Sequence, residues 1–448
     1  MRSGIVDEFK DDVLSGKLHK DPPVRGPYGE ASINLKPGAK PKRMRGFQVH
    51  GPKAEALKKM VEDFTEIGWL EPSYSEWGSA AFVVPKKEEG QWRMVVDYRA
   101  LNTETVHDAY SLPLIEPLLQ KHSAAKVLSI IDMKKGYHQM PLAKESRACT
   151  AMVTPNGLWQ WKVMPMGAKN GNAAFQRMME WILEDFPFAD PYVDDIIIST
   201  KADTYEDAVK QHAIDLHKVL TKLREMKLVA DLSKAKLFVD YAEFCGHIIG
   251  QGTRRPGEKK LECLEKWKKP ETVTELRSFL GFCNWYHDYI PMFASIASPM
   301  MAMLKVPRDV GKKGSKSKIS WDPTSSAAFD EMKTKLKEKM ELVTIRPDMP
   351  FVMAADASDF AVGAVLEQEN EDGTRRPVGF WSRKLTKGQR RSWSPREKET
   401  YAIVEGLKRW SGYIGLMPIV IKTDHQALES CFTERVEVPS GPVGRRAR

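Results

Sequence analysis

The chain has 448 residues, is 42% hydrophobic and carries a formal charge of +9, which predicts two to four domains rather than one core and suits a polyanionic partner. Five scattered cysteines (Cys149, Cys245, Cys263, Cys283 and Cys431) exclude a paired zinc or disulfide framework. No apolar run reaches the roughly 20 residues of a membrane helix, and the N-terminus lacks a signal-peptide core.

Residues 1–45, rich in Gly, Pro and Lys, read as an extended arm. From 52 to 69, Leu57, Met60, Val61 and Phe64 mark an amphipathic helix closed by Gly68. Residues 80–85 and 91–99 read as a hairpin turning through 86–90, with Lys86, Lys87 and Arg93 on one ribbon. As bare residues these are solvated cations. Leu128-Ser129-Ile130-Ile131-Asp132 is an apolar strand ending in an acid that shares a face with Leu128 and Ile130. An acid on a core-facing side needs a partner. Residues 151–161 read as strand, turn and strand. Met164-Pro165-Met166-Gly167 leads into a helix near 172–178, and Gly167 lets backbone approach a ligand closely.

Tyr192-Val193-Asp194-Asp195, followed by three isoleucines, is a hairpin with an acidic tip. Two unit negative charges about 4 Å apart repel by roughly 4 kcal/mol at an effective dielectric near 20. Alone, the pair also fits an exposed acidic turn. With Asp132 added, three carboxylates suit a site for two divalent cations, which take oxygen ligands and clamp both oxygens of a phosphoryl displacement.

Residues 212–226 read as a helix through Ile214, Leu216, Val219, Leu220 and Leu223. Residues 256–269 read as a helix with Lys259, Lys260, Lys266, Lys268 and Lys269 outward, and Thr272 to Glu275 as the capping box of the next. Such basic faces suit duplex phosphates. Residues 306–317 form a Gly, Lys and Ser-rich linker. Asp356 and Asp424 each end an apolar strand, and Ser394-Pro395-Arg396-Glu397 starts a helix between them. On that helix Glu399 shares a face with Ala402, Ile403, Gly406, Leu407 and Trp410, an odd place for a carboxylate unless something cationic meets it. Asp356, Glu399 and Asp424 thus form a second acid set.

Asp132 to Gln139, Met164 to Gly167 and Tyr192 to Asp195 stand in the order and spacing of motifs A, B and C of reverse transcriptases. With Asp97-Tyr98-Arg99-Ala100-Leu101-Asn102 and Phe244-Cys245-Gly246-His247, the chain from about Ile33 onward resembles the gypsy-type LTR retrotransposon enzymes with their RNase H domain. The resemblance implies an α+β and α/β multidomain fold, a right-hand polymerase followed by an incomplete RNase H-like mixed-sheet domain. Its parts would be an arm at 1–45, fingers and palm at 46–250, a thumb at 251–305, a basic linker at 306–320 and the RNase H-like domain at 321–448. It implies catalytic, metal-binding roles for Asp132, Asp194 and Asp195, and for Asp356, Glu399 and Asp424. Contacts to dNTP would come from Lys86 and Arg93 on the triphosphate, Tyr137 beneath the sugar, Met166, Gly167, and Lys234 near the leaving pyrophosphate. Mg²⁺, with Mn²⁺ as the alternative, RNA template, DNA primer, RNA–DNA hybrid and dNTPs are implied. No membrane is; dimerisation stays open, and the implied location is cytoplasmic, within virus-like particles, or nuclear. Asp97, Arg99, Gln139 and His247 are expected to be structural. Asn172 departs from a usual Pro, and Met166 from a common aromatic. The chain ends before the strand and helix that supply a fourth acid in the family, which predicts weak or absent RNase H cleavage. The competing expectation is a degenerate or domesticated fragment that binds nucleic acid without turnover.

Overall fold

The computed structural model describes residues 2–20, 22–86, 90–304, 317–370, 372–415 and 417–423. They divide into two units, residues 1–118 with 125–242, and 119–124 with 243–448. Through residue 239 the elements are α1 (Arg2–Phe9), α2 (Pro52–Glu66), β1 (Leu70–Pro72), β2 (Ser79–Pro85), β3 (Trp92–Val96), α3 (Arg99–Glu104), α4 (Ile115–Ser123) and β4 (Val127–Asp132). There follow α5 (Lys144–Arg147), β5 (Met152–Thr154), β6 (Gly157–Trp161), α6 (Gly171–Leu183), β7 (Ala189–Tyr192), β8 (Asp195–Thr200), α7 (Tyr205–Glu225) and β9 (Lys236–Val239).

Two sheets organise the first unit, one ordered β1-β6-β5-β2-β3 and one ordered β7-β8-β4-β9. β4 and β8 are the central pair of the second, buried along nearly their whole length, which explains their continuous apolar runs instead of alternation. Helices α6 and α7 pack on this sheet and bury Phe175, Met178 and Ile182, and Leu216, Val219 and Leu223. Each such side chain stabilises by about 1.5–3 kcal/mol. α7 begins well before the predicted 212 because Thr204 caps it, its hydroxyl accepting from the Asp207 N–H. Between α7 and the sheet lies a buried polar network. The Thr200 hydroxyl donates to Asp215 Oδ2 at 2.9 Å, so it accepts from His212 Nδ1 at 2.8 Å. His212 Nε2 is then the acceptor for the Ser129 hydroxyl at 2.7 Å.

The stretch expected as an extended arm is mostly exposed but anchored at a few points. Phe9, Val13 and Leu14 are buried in the core, and Arg224 on α7 lies over the Phe9 ring. Arg25 is buried and donates to the carbonyls of Gln139, Met226 and Lys227. Composition averaged over the segment hides these few anchors.

The second unit holds β10 (Ala242–Phe244), β11 (His247–Gly250), β12 (Thr253–Pro256), α8 (Glu258–Glu265), α9 (Val273–Trp285), α10 (Phe293–Met303), α11 (Pro323–Lys337) and β13 (Leu342–Val343). Beyond them are β14 (Phe351–Ala357), β15 (Ala361–Glu369), β16 (Arg375–Lys384), α12 (Lys387–Ser392), α13 (Pro395–Ile414) and β17 (Ile419–Lys422). The helix predicted at 256–269 is shorter, since Pro256 closes β12 opposite His247. Thr272 caps α9, but the Glu275 carboxylate takes the Glu271 N–H rather than that of Thr272, so the expected box is half closed. Most of the linker expected at 306–320 lies outside the described residues; its end does not dangle, as residues 317–319 bond residues 271–273. Phe329, Met332 and Leu336 of α11 join Leu264, Phe279 and Met300 in a helical core, although α11 falls inside the span expected for the RNase H-like domain. One sheet of this unit is ordered β10-β11-β12-β13; the other is mixed, ordered β16-β15-β14-β17, with only the β14–β17 pair parallel, and α13 packs on β14 and β15.

Candidate active site

β4 and β8 run antiparallel with Asp132 directly opposite Asp195. β7 and β8 join through the two-residue turn Val193–Asp194, with Tyr192 paired to Asp195. Val193 has φ 53°, left-handed backbone that a β-branched residue takes only under strain. Gln176, fully buried on α6, holds it there. The amide Nε2 donates to the Pro191 carbonyl at 2.8 Å, and Oε1 accepts the Val193 N–H at 2.6 Å. The Asp194 carbonyl accepts the Met133 N–H at 2.7 Å, which ties the turn to the residue after Asp132.

Crowded negative charge shows in the acidities. Burial first, then Asp132 and Asp194, push the Asp195 carboxyl up to about 6, against a pull from Lys234. Burial and Asp132 raise Asp194 as well. Asp194 Oδ1 is buried with no hydrogen-bond partner. Lys234 Nζ donates to Asp132 Oδ1 at 3.0 Å and supplies the counter-charge there. As placed, no group of three or more His, Cys, Asp or Glu side chains among the described residues closes on one point as a coordination shell. The donor set still fits a hard divalent cation: carboxylates only, one oxygen orphaned, and repulsion that two positive charges would relieve.

Gly136 brings the next loop in. A Cβ there would lie 3.0 Å from Phe175 Cζ and 3.6 Å from Asp194 Oδ1, so the backbone passes close only because none exists. Tyr137 follows, half-buried, edge-on to Phe175 at 5.7 Å, its hydroxyl donating to Asn172 Oδ1 at 2.8 Å. Burial and Asp194 hold that hydroxyl protonated well above the usual tyrosine range. Met166 is exposed. Gly167 has φ 85°, and its carbonyl accepts from Asn102 Nδ2 at 3.0 Å. Lys86 and Arg93 are exposed on the β2–β3 hairpin, Lys86 donating to Gln91 Oε1 at 3.1 Å and neither meeting the acids. Lys87 lies outside the described residues.

The residues expected to be structural carry structural bonds. Arg99 pairs with Asp97 at 2.6 Å. Gln139 bonds Lys134 and both backbone groups of Val229. His247 Nδ1 meets the Tyr289 hydroxyl at 2.9 Å. Sequence reasoning missed the supporting roles of Gln176 and Asn102, and a further cation, Lys135, at φ 48° with its ammonium 4.3 Å over the Phe64 ring. For Gln176 a signal existed: a lone amide beside Phe175 and Met178 on a buried helix face.

In the second unit Asp356 is exposed near the end of β14. Glu399 is buried on α13, and its Oε1 accepts the Ala357 N–H at 3.1 Å, so these two acids are neighbours. β17 runs parallel beside β14, with Ala354 opposite Lys422. Asp424, two residues further on, lies outside the described residues.

Residues 84–249 match the family described as reverse transcriptase (RNA-dependent DNA polymerase), and residues 321–421 the RNase H-like domain found in reverse transcriptase. The Tf2-3 and Tf2-7 transposon polyproteins of Schizosaccharomyces pombe are 31% and 30% identical over 446 residues, 98% of this chain. The chain spans about a third of their length, 32%. The fold is similar to a foamy viral protease-reverse transcriptase solved with double-stranded DNA, with TM-score 0.79 and 22% identity, covering 96% of this chain and 85% of that one. A structure of the foamy viral protein with an RNA/DNA hybrid gives TM-score 0.75 and 22% identity over 100% of this chain and 58% of that one.

Proposed function

The chain belongs to the reverse transcriptase family, and we propose that it is an RNA-directed DNA polymerase that transfers a nucleotidyl group from a dNTP to a primer 3′-hydroxyl. One observation carries the reading: Asp132 and Asp195 face each other across β4 and β8, with Asp194 on the adjoining turn. Divalent cations held by these carboxylates, Mg²⁺ or Mn²⁺, would neutralise charge on the reacting phosphate and primer oxygen. The chain's own residues do the positioning that phosphoryl transfer chiefly needs. Lys86 and Arg93 bind the triphosphate, Arg93 as a bidentate fork and Lys86 as a point charge. The Tyr137 ring fills the space beneath the sugar and excludes a 2′-hydroxyl. Exposed Met166 and the backbone at Gly167 line the nucleotide's path. Lys234, which donates to Asp132 Oδ1 at 3.0 Å in the absence of cations, would protonate the leaving pyrophosphate. In the second unit Asp356, Glu399 and Asp424 would serve cleavage of the RNA strand of a hybrid.

Primer extension on poly(rA)/oligo(dT) tests this. The chain is expected to extend the primer with Mg²⁺ or Mn²⁺, and Asp194→Asn to abolish extension while duplex binding persists. A chain that binds the duplex and extends it with neither cation is a binding fragment without turnover.

A further inference from the structure

We propose that Asn172 is the positioning residue for Tyr137: its side-chain carbonyl locks the ring beside Asp194 and so sets how strongly the site rejects a ribonucleotide. The inference rests on the nucleotidyl-transfer reading above.

Two contacts orient the Tyr137 ring. Phe175 takes its edge at 5.7 Å and 64°, and Asn172 Oδ1 takes its hydroxyl at 2.8 Å. The first leaves the ring free to tilt; the second pins its far end. Gly171 adds no side chain against the ring: a Cβ built there would meet Met164 at 3.2 Å before reaching Tyr137 at 3.9 Å. Asn172 is the second residue of α6, so its acceptor is carried by a helix backbone and not by a loop. The Asn172 side chain is exposed, and among the described residues the Tyr137 hydroxyl is its one hydrogen-bond partner. It does not cap α6. An amide there is a poor helix former, and a proline, alanine or leucine would offer no acceptor. Burial and the charge of Asp194 keep the tyrosine hydroxyl protonated, hence a donor throughout the neutral range. A ring pinned at both ends is a fixed wall; a ring held only by Phe175 can yield to the added oxygen of a ribose.

The test is single-nucleotide incorporation of dTTP and UTP on poly(rA)/oligo(dT) by the full chain, with kcat/KM measured for each. Asn172→Ala is expected to reduce the preference for dTTP by roughly three- to tenfold, the worth of one hydrogen bond, mainly through faster use of UTP. Tyr137→Phe is expected to give the same loss, and the double variant no more than either alone, because both remove one bond. Asn172→Asp restores the acceptor and with it the preference; its added charge burdens both nucleotides alike. A preference unchanged in an active Asn172→Ala enzyme, or losses that multiply in the double variant, overturn the inference alone. A parent chain that incorporates neither nucleotide overturns the polymerase reading and the inference with it.

Discussion

Replacing Asp195 by Asn should stabilise the cation-free protein while disabling it. The Asp195 carboxyl rises from its ordinary 3.8 to about 6, which at 1.36 kcal/mol per pH unit corresponds to about 3 kcal/mol of strain in the ionised folded state. Water reaches part of the group, so about 1.5 kcal/mol is the better expectation. Between pH 4 and 6 the unfolded chain binds fewer protons at this position than the folded one. Stability therefore falls as pH rises through that window and stays reduced above it. The buried imidazoles act in the opposite sense. Burial lowers His212 to about 4 and His138 to about 3, so their neutral forms cost stability as pH drops below 6.5. The difference between variant and parent isolates Asp195. Thermal melts in EDTA should show Asp195→Asn equal to the parent near pH 4 and about 3–6 °C higher at pH 7.5, taking about 2–4 °C per kcal/mol for a unit of this size. Mg²⁺ should raise the parent and narrow the gap. A variant that melts at or below the parent in EDTA at pH 7.5 refutes the idea that the acids repel one another at the end of β4 and β8.

Gln176→Met keeps volume but removes both bonds that hold the Val193–Asp194 turn; urea unfolding should lose about 2–3 kcal/mol and primer extension more than tenfold. Extension within twofold of the parent would show that the turn keeps its shape without the clamp. Arg25→Met leaves the carbonyls of Gln139, Met226 and Lys227 without their donor, so urea unfolding should lose about 2–4 kcal/mol; an unchanged midpoint would mean that water replaces the guanidinium freely. Glu399→Gln preserves an acceptor for the Ala357 N–H but removes charge beside Asp356. Any hybrid cleavage should drop at least about a hundredfold with primer extension untouched, and equal cleavage by parent and variant would remove Glu399 from that site.

The contrast between what was legible and what was not follows from where each residue spends its polar groups. Asp132, Asp194 and Asp195 stood out because a carboxylate at the end of an isoleucine-rich strand conflicts with its surroundings, and that conflict is local. Their facing register joins residues 63 apart, which no local conflict reveals. α8 stops at Glu265 although its lysines continue, and Pro270 accounts only for Lys269 being non-helical. Arg25 and Gln176 are different in kind. Arg25 bonds carbonyls 114 to 202 positions away, and Gln176 bonds the backbone of a turn 15 to 17 positions on. Every residue carries a carbonyl and nearly every one an N–H, so the receiving end of such a bond leaves no mark on the sequence. The giving end is a polar side chain whose purpose shows only once the fold has closed around it. The acids proposed for chemistry conflict visibly with the apolar strands that carry them. The groups that aim them bond chiefly to distant backbone, and for that reason read as ordinary until the chain is folded.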